Sequence, residues 1–384
     1  MAFKQIGTFV KQISEKNKNG EFIEVLGVSI EKEFMPSVAN TTGTDLKKYN
    51  VLRKNRFAFN PMHVGRDKKL PIAVYCEDEP ALISPAYTMF EVVDKNINIK
   101  YLMLLFKTKI FDHLCWFYTD GSVRGGLTWN DFCNIELDIP PIEEQMEVLK
   151  KYNTIKTNIE NLKKENLMLE SLANKILYKT INNKENNGFF SDIINSVIGG
   201  DWGKEILEGA YNAKTLCIRG ADFQSFNSGS IKDIPVRYIL NKNFENKKIE
   251  EGDLIVEISG GSPTQATGRI ALATNKNLHN QKAICSNFCR VIKIKDEYKY
   301  YAFELWKKIY SKGLMFTYEN GTSGLKNFEI KKFIDTVPIY IPELNTALKV
   351  NNKLKIIYQL IHNNGLIIEQ LQSLMKNIYE SRNV

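Results

Sequence analysis

Two stretches of the chain carry apolar residues at alternating steps of four and three. The first reads Ile155, Ile159, Leu162, Asn166, Leu169, Ala173, Ile176, and the second Ile357, Ile361, Asn364, Ile368, Leu371, Met375, Ile378. That spacing is the seam of a coiled coil, so it predicts two long helices. The first opens after Pro140-Pro141, where proline is tolerated because a first-turn N–H lacks an intrahelical partner. Glu143 and Glu144 then meet the positive end of the helix dipole. This helix should run to about Thr180 and stop in the polar linker from Asn182 to Gly188. The second should run from about Pro342 to the end of the sequence. Elsewhere the apolar runs are short, β-rich and broken by turn residues, as in Phe57-Ala58-Phe59 before Asn60-Pro61 and Leu254-Ile255-Val256 before Ser259-Gly260-Gly261. One short helix is expected near 99–111 and another near 298–311.

Each seam has one polar interruption, and the two amides discriminate between orientations. In a parallel pair at the repeat offset, Asn166 would face Ile368 and Leu162 would face Asn364. Two buried amides without partners would cost about 1–3 kcal/mol each. In an antiparallel pair Asn166 can face Asn364, and every other layer is apolar, with Ala173 opposite Ile357. An antiparallel pair with one Asn–Asn layer fixing its register is therefore expected.

The chain also repeats itself once, at a period of about 200 residues. Lys100-Tyr101 aligns with Tyr300-Tyr301, Leu105-Phe106-Lys107 with Leu305-Trp306-Lys307, and Asp120-Gly121-Ser122 with Asn320-Gly321-Thr322. Gly126-Leu127 is close to Gly324-Leu325, Ile139-Pro140 matches Ile341-Pro342, and Phe3, Ile6, Val10 correspond to Phe190, Ile193, Val197. The fold class that follows is α+β: two similar mixed domains, 1–140 and 188–340, each followed by a long helix, 141–181 and 341–384, with the helices forming an antiparallel coiled coil of pseudo-twofold symmetry. The seam covers about 21 residues, roughly 32 Å at 1.5 Å per residue, close to one turn of B-DNA.

Composition narrows the picture. A 384-residue chain with 43% hydrophobic and 25% charged residues has the profile of a globular protein with room for two cores. The N-terminal stretch has no apolar signal segment and no run is long enough to span a bilayer, so a cytoplasmic, bacterial setting without membrane contact is expected. The six cysteines form no CxxC pair and read as reduced core residues, and the four histidines are scattered, so no metal is expected. A net charge of +8 favours a polyanionic partner.

Catalytic signatures are missing. Asn60-Pro61-Met62-His63 lacks the second proline and the aromatic residue of an amino-methyltransferase motif. Gly199-Gly200-Asp201-Trp202-Gly203-Lys204 has Ile198 and Glu205 where a P-loop needs glycine and a hydroxyl. No catalytic residues are assigned. Cations and amides on turn-rich segments instead fit duplex readout, where Arg, Lys, Asn and Gln match groove edges and phosphates. In the first domain the candidates are Arg66, Lys68, Lys69 and Arg124; in the second they are Lys204, Arg219, Arg237, Gln265, Arg269 and Lys326. The loop from Gly260 to Arg269 is the strongest, with small polar groups around one arginine.

Leu127-Thr128-Trp129-Asn130-Asp131-Phe132 running into Ile139-Pro140-Pro141-Ile142-Glu143-Glu144-Gln145, and Gly324-Leu325-Lys326-Asn327-Phe328 running into Ile339-Tyr340-Ile341-Pro342, resemble the specificity subunits of type I restriction–modification systems. The resemblance covers essentially the whole chain, in the order recognition domain, helix, recognition domain, helix. It implies a non-catalytic subunit that reads a bipartite, asymmetric site on double-stranded DNA. It also implies helices that dock two methyltransferase subunits, which bind AdoMet and flip adenines, and two restriction subunits that use ATP and Mg. No cofactor is implied for this chain itself. One departure stands out: the second helix opens Pro342-Glu343-Leu344-Asn345-Thr346, without the Glu-Glu-Gln of the first, which puts the equivalence of the two docking faces in question. The readings that compete are a stand-alone DNA-binding regulator and the same scaffold in another phage-defence methylation system. Leu167, Leu172, Leu177, Leu360, Leu366 and Leu374 lie off the seams, where partner helices could pack.

Overall fold

The computed structural model describes residues 3–39, 43–62, 64–119, 126–262, 264–321 and 326–380. The chain divides into two compact units, residues 1–157 with 372–384, and residues 158–371.

In the first unit a four-stranded sheet has the order Val10–Ile13, Thr88–Val92, Phe57–Phe59, Ile72–Val74, antiparallel throughout. A second sheet runs Phe34–Pro36, Val25–Val28, Ala81–Ile83, Asn50–Leu52, with its middle pair parallel. Phe3–Gln5 pairs with Glu136–Asp138. Phe57-Ala58-Phe59 is buried on both faces, as a fully apolar run requires. Its rings belong to an aromatic core, with Phe57 on Phe90 and Phe59 on Phe132 at centroid distances of 4.8 Å.

The second unit repeats this plan. Its four-stranded sheet has the order Ile194–Gly199, Cys289–Ile294, Leu254–Glu257, Ile270–Leu272. Its next sheet runs Val236–Leu240, Tyr211–Ile218, Ala283–Cys285, the last pair again parallel. Gly188–Phe189 pairs with Pro338–Ile339. The sequence repeat is thus a repeat of strand order and sense. Among the described residues, the first unit has the extra edge strand Asn50–Leu52 and the second an extra ribbon, Ser259–Gly260, Lys326–Phe328 and Glu319–Asn320. Trp306 is fully buried in its core, 4.6 Å from Phe333, and its indole N–H donates to Gly268 O at 2.9 Å.

The long helices span Ile142–Ile181 and Leu344–Glu380. The expected helix near 99–111 is in fact two, Ile99–Phe106 and Lys109–Phe117. The break has a local cause: the buried Thr108 caps the second piece, its hydroxyl accepting from Phe111 N at 3.1 Å. In the second unit one helix, Lys299–Ser311, stays continuous. Leu177 corrects a second expectation. It is buried in the second unit's own cluster with Phe190 and Ile193, so it offers no surface to a partner. Leu167, Leu172, Leu360 and Leu374 are exposed. All six cysteines are unpaired thiols, and Cys115, Cys217, Cys285 and Cys289 are buried, but Cys76 is exposed rather than in a core. Burial pushes the Cys217 thiol up to about 12 and the Cys289 thiol up to about 11.

Within the second unit the two seam asparagines meet. Asn364 Nδ2 donates to Asn166 Oδ1 at 2.9 Å, and Asn166 Nδ2 lies 3.4 Å from Ile361 O. Within the first unit Ile378 packs on the cluster that holds Val148 and Leu149.

The missing Glu-Glu-Gln of the second helix also has a structural answer. Gln145 is fully buried; it accepts from Asn98 N at 2.8 Å and donates to Asn96 O and Pro140 O at 2.9 and 2.8 Å. In the second unit Asn351 accepts from Tyr300 N at 2.8 Å and donates to Asp296 O at 3.0 Å. A shorter amide, about one turn further along its helix, thus binds one matching repeat position, Asp296 O for Asn96 O, and a backbone N–H two residues past the position of Asn98.

Candidate nucleic-acid interface

In each unit the segment between the third and fourth strands of the four-stranded sheet carries the densest set of candidates. In the first unit this is 60–71, and in the second 258–269. Each is stitched to the chain after the aligned Gly121 and Gly321: Leu127 N donates to Pro61 O at 2.9 Å, and Phe328 N to Ile258 O at 2.8 Å.

The second unit's loop is held at both ends. Arg269 makes two bonds to Glu257, at 2.8 and 2.6 Å, and Glu257 is buried. Burial works against the charge of Glu319, but Lys326 at 2.9 Å and the N–H and hydroxyl of Thr267 outweigh it and hold its carboxyl below the usual range. Lys326 also donates to Ser262 O at 3.1 Å, and Tyr310 OH to Ala266 O at 2.8 Å. Gly260 and Gly261 have φ of 141° and 77°, which lets the chain turn into the loop without Cβ strain. Between these anchors the tip at Thr264 and Gln265 is exposed, with Ser262 Oγ accepting from Gln265 N at 3.0 Å.

The other candidates are scattered over several surfaces. Lys204 pairs with Glu208 at 2.9 Å, and Arg219 binds Asp222 through two bonds at 2.9 and 2.7 Å. Arg237 departs from the expected loop position. It lies inside the strand Val236–Leu240, buried, with its guanidinium 4.2 Å from the Trp202 ring and 2.6 Å from Glu205. In the first unit Arg66 is exposed on the short helix Val64–Asp67 and paired with Asp67 at 2.7 Å. Lys68 and Lys69 are exposed, and among the described residues neither forms an ion pair with a carboxylate. Arg124 and His63 lie outside the described residues, as do the rest of 120–125 and all of 322–325. Among the described residues no cluster of His, Cys, Asp or Glu could hold a metal, and no helix is long and apolar enough to cross a membrane.

No protein-family model matches the sequence, and no curated protein matches it. Solved structures do. The type I restriction–modification S subunit from M. genitalium superposes with a TM-score of 0.58 at 11% identity, over 99% of this chain and 95% of that one. The fold is that of a type I restriction–modification S subunit. Two further matches are a chain from structures of type I R-M complex assembly and conformational transition (TM-score 0.49, 13% identity, 98% of this chain and 96% of that chain) and the HsdS subunit from Thermoanaerobacter tengcongensis (0.39, 13%, 98% and 95%). At 11% identity the S-subunit fold is kept by burial pattern and topology, not by side-chain identity.

Sequence reasoning missed several groups in this S-subunit fold. Glu319 organises the second unit's loop from 52 residues away, and no spacing rule links it to Thr267. The anchoring of Gln145 was signalled only by its place in the helix-opening motif. Trp116 and Phe316 sit in apolar runs that gave no reason to single them out, and only the fold shows them at the surface.

Proposed function

We propose that this chain is the DNA sequence-recognition subunit of a type I restriction–modification complex. The observation that carries the reading is the repetition of one sheet plan in both units, each with a polar or cationic segment between its third and fourth strands. On this reading each unit reads one half of a bipartite, asymmetric site in double-stranded DNA. The long helices pair antiparallel with pseudo-twofold symmetry, and the Asn166–Asn364 layer sets their register and hence the spacer. Thr264 and Gln265 are the base-reading tip of the second unit. Arg269 and Lys326 hold that tip in shape, and Lys68, Lys69 and Arg66 meet phosphate in the first unit. The exposed Leu167, Leu172 and Leu360 dock methyltransferase subunits. AdoMet belongs to those subunits, and ATP with Mg to two restriction subunits; the chain itself performs no chemistry.

Co-expression with the neighbouring methyltransferase gene, followed by long-read mapping of methylated adenines, tests this. A stable complex and a split motif of two short half-sites around a fixed gap are expected. DNA binding by the chain alone, with no complex and no split motif, would instead establish a stand-alone regulator.

A further inference from the structure

The repeat places an exposed ring at the same point in each unit. Trp116 and Phe316 are 200 residues apart, in register with Tyr118 and Tyr318 and with Gly121 and Gly321. They keep 43% and 44% of their surface exposed. Each has an ammonium over its ring: Lys68 Nζ lies 4.8 Å from the Trp116 centroid, and Lys326 Nζ lies 5.0 Å from that of Phe316. The two lysines come from different places, Lys68 from the segment after the short helix Val64–Asp67 and Lys326 from the strand Lys326–Phe328. The two units therefore reach one arrangement by different chain routes. In each unit the chain that follows in sequence is bonded to the candidate loop, through Leu127 N–Pro61 O and Phe328 N–Ile258 O.

Such a pair combines two kinds of recognition. The ring offers an apolar face to a flat or C–H-rich surface, and the ammonium offers a point charge to an anion at the face's edge. A nucleotide presents both, with deoxyribose or base beside a phosphate. We infer that Trp116 with Lys68, and Phe316 beside the loop-bracing Lys326, are corresponding contact points for the duplex backbone, one per unit, flanking the base-reading segments. This rests on the DNA-recognition reading above. The two points differ in strength. Lys326 is already neutralised by Glu319 at 2.9 Å, whereas among the described residues Lys68 has no carboxylate partner. The first unit's point therefore carries more of the phosphate attraction.

The test is fluorescence anisotropy of the full chain on a labelled duplex of mixed sequence, over a series of KCl concentrations. Trp116→Ala and Phe316→Ala should each weaken binding about fivefold through lost apolar contact with deoxyribose, without changing the salt slope. Trp116→Phe should restore binding. Lys68→Met should lower the salt slope by about one, and Lys68→Arg should keep it. Lys68 is exposed, so its variants test the inference even if a ring variant misfolds. If all these variants match the parent in affinity and slope, the inference falls while DNA recognition stands. If the parent chain alone binds no duplex, the same series is run on its complex with the methyltransferase subunit, and no binding there makes both fall. If the variants bind DNA normally but no longer co-purify with a methyltransferase subunit, the rings face protein and the inference is overturned.

Discussion

The two units share a sheet plan and differ in how they treat cations. In the second, all five candidate cations meet a carboxylate: Lys204 with Glu208, Arg219 with Asp222, Arg237 with Glu205, Arg269 with Glu257, Lys326 with Glu319. In the first, Arg66 pairs with its neighbour Asp67, and Lys68 and Lys69 have no such partner among the described residues. These pairs are not equivalent. Lys204–Glu208 is about half exposed and exchangeable, contributing about 0–1 kcal/mol. Arg269–Glu257 sits on a carboxylate side chain only 6% exposed and is structural. One fold therefore supports two arrangements of cations, a loop pre-shaped by internal ion pairs and a more open cationic surface.

The contrast is broken most directly by removing one cation from each unit. Arg269→Met leaves the buried Glu257 charge without its partner and should destabilise the second unit by about 3 kcal/mol. Lys68→Met should leave the first unit's stability unchanged. Urea unfolding followed by hydrogen exchange assigns each effect to its unit. Equal losses would mean that the two cation sets do the same job.

Next in size is a test of likeness rather than difference. Gln145→Leu strips Asn98 N and two carbonyls of their partner, and Asn351→Leu does the same to Tyr300 N and Asp296 O. Each should cost about 2 kcal/mol in its own unit. A loss confined to Gln145→Leu would show that Asn351 is not its counterpart.

What was legible in the sequence follows from range. Helical seams and the repeat are patterns of burial, and their residues speak for themselves: Ile155, Ile159 and Ala173 are buried at the seam positions. The loop was legible as a loop, because glycines and small polar residues mark turns. Its ion pairs were not, since Glu319 and Lys326 lie more than 50 residues from Gly260 and Gly261, and only the ribbon brings them together. Arg237 reads as surface because arginine is rarely buried, yet the Trp202 face and Glu205 give it a site. The helix break at Thr108 was missed because Lys107-Thr108-Lys109 holds no proline or glycine to mark it.

The fastening of the second unit to its helix also titrates, unlike the Gln145 fastening of the first. His362 is fully buried, its Nδ1 2.7 Å from Thr274 Oγ1, and burial holds its pKa down to about 3. A folded pKa below the ordinary value of about 6.5 means the neutral ring stabilises the fold fully above that pH. The contribution should fall as pH drops from about 6.5 toward 3, by about 1.4 kcal/mol per pH unit. Subtracting the pH–stability curve of His362→Gln from that of the parent should show this slope. A flat difference would mean that the imidazole is accessible to protons in the folded state.

The smallest effect concerns the asparagine pair. Asn166→Leu alone leaves the buried Asn364 amide without its 2.9 Å partner and should cost about 1 kcal/mol. Replacing both with leucine turns the layer apolar and should hold or raise stability. The cost of the double variant is uniqueness, since a uniform seam no longer penalises a shift by one heptad. On the ruler reading, the double variant should therefore methylate split sites with more than one spacer, while each single variant keeps one spacer at reduced yield. If Asn166→Leu alone were strongly stabilising, the amide pair could not be what sets the register, and the spacer would have to be fixed by the two units themselves.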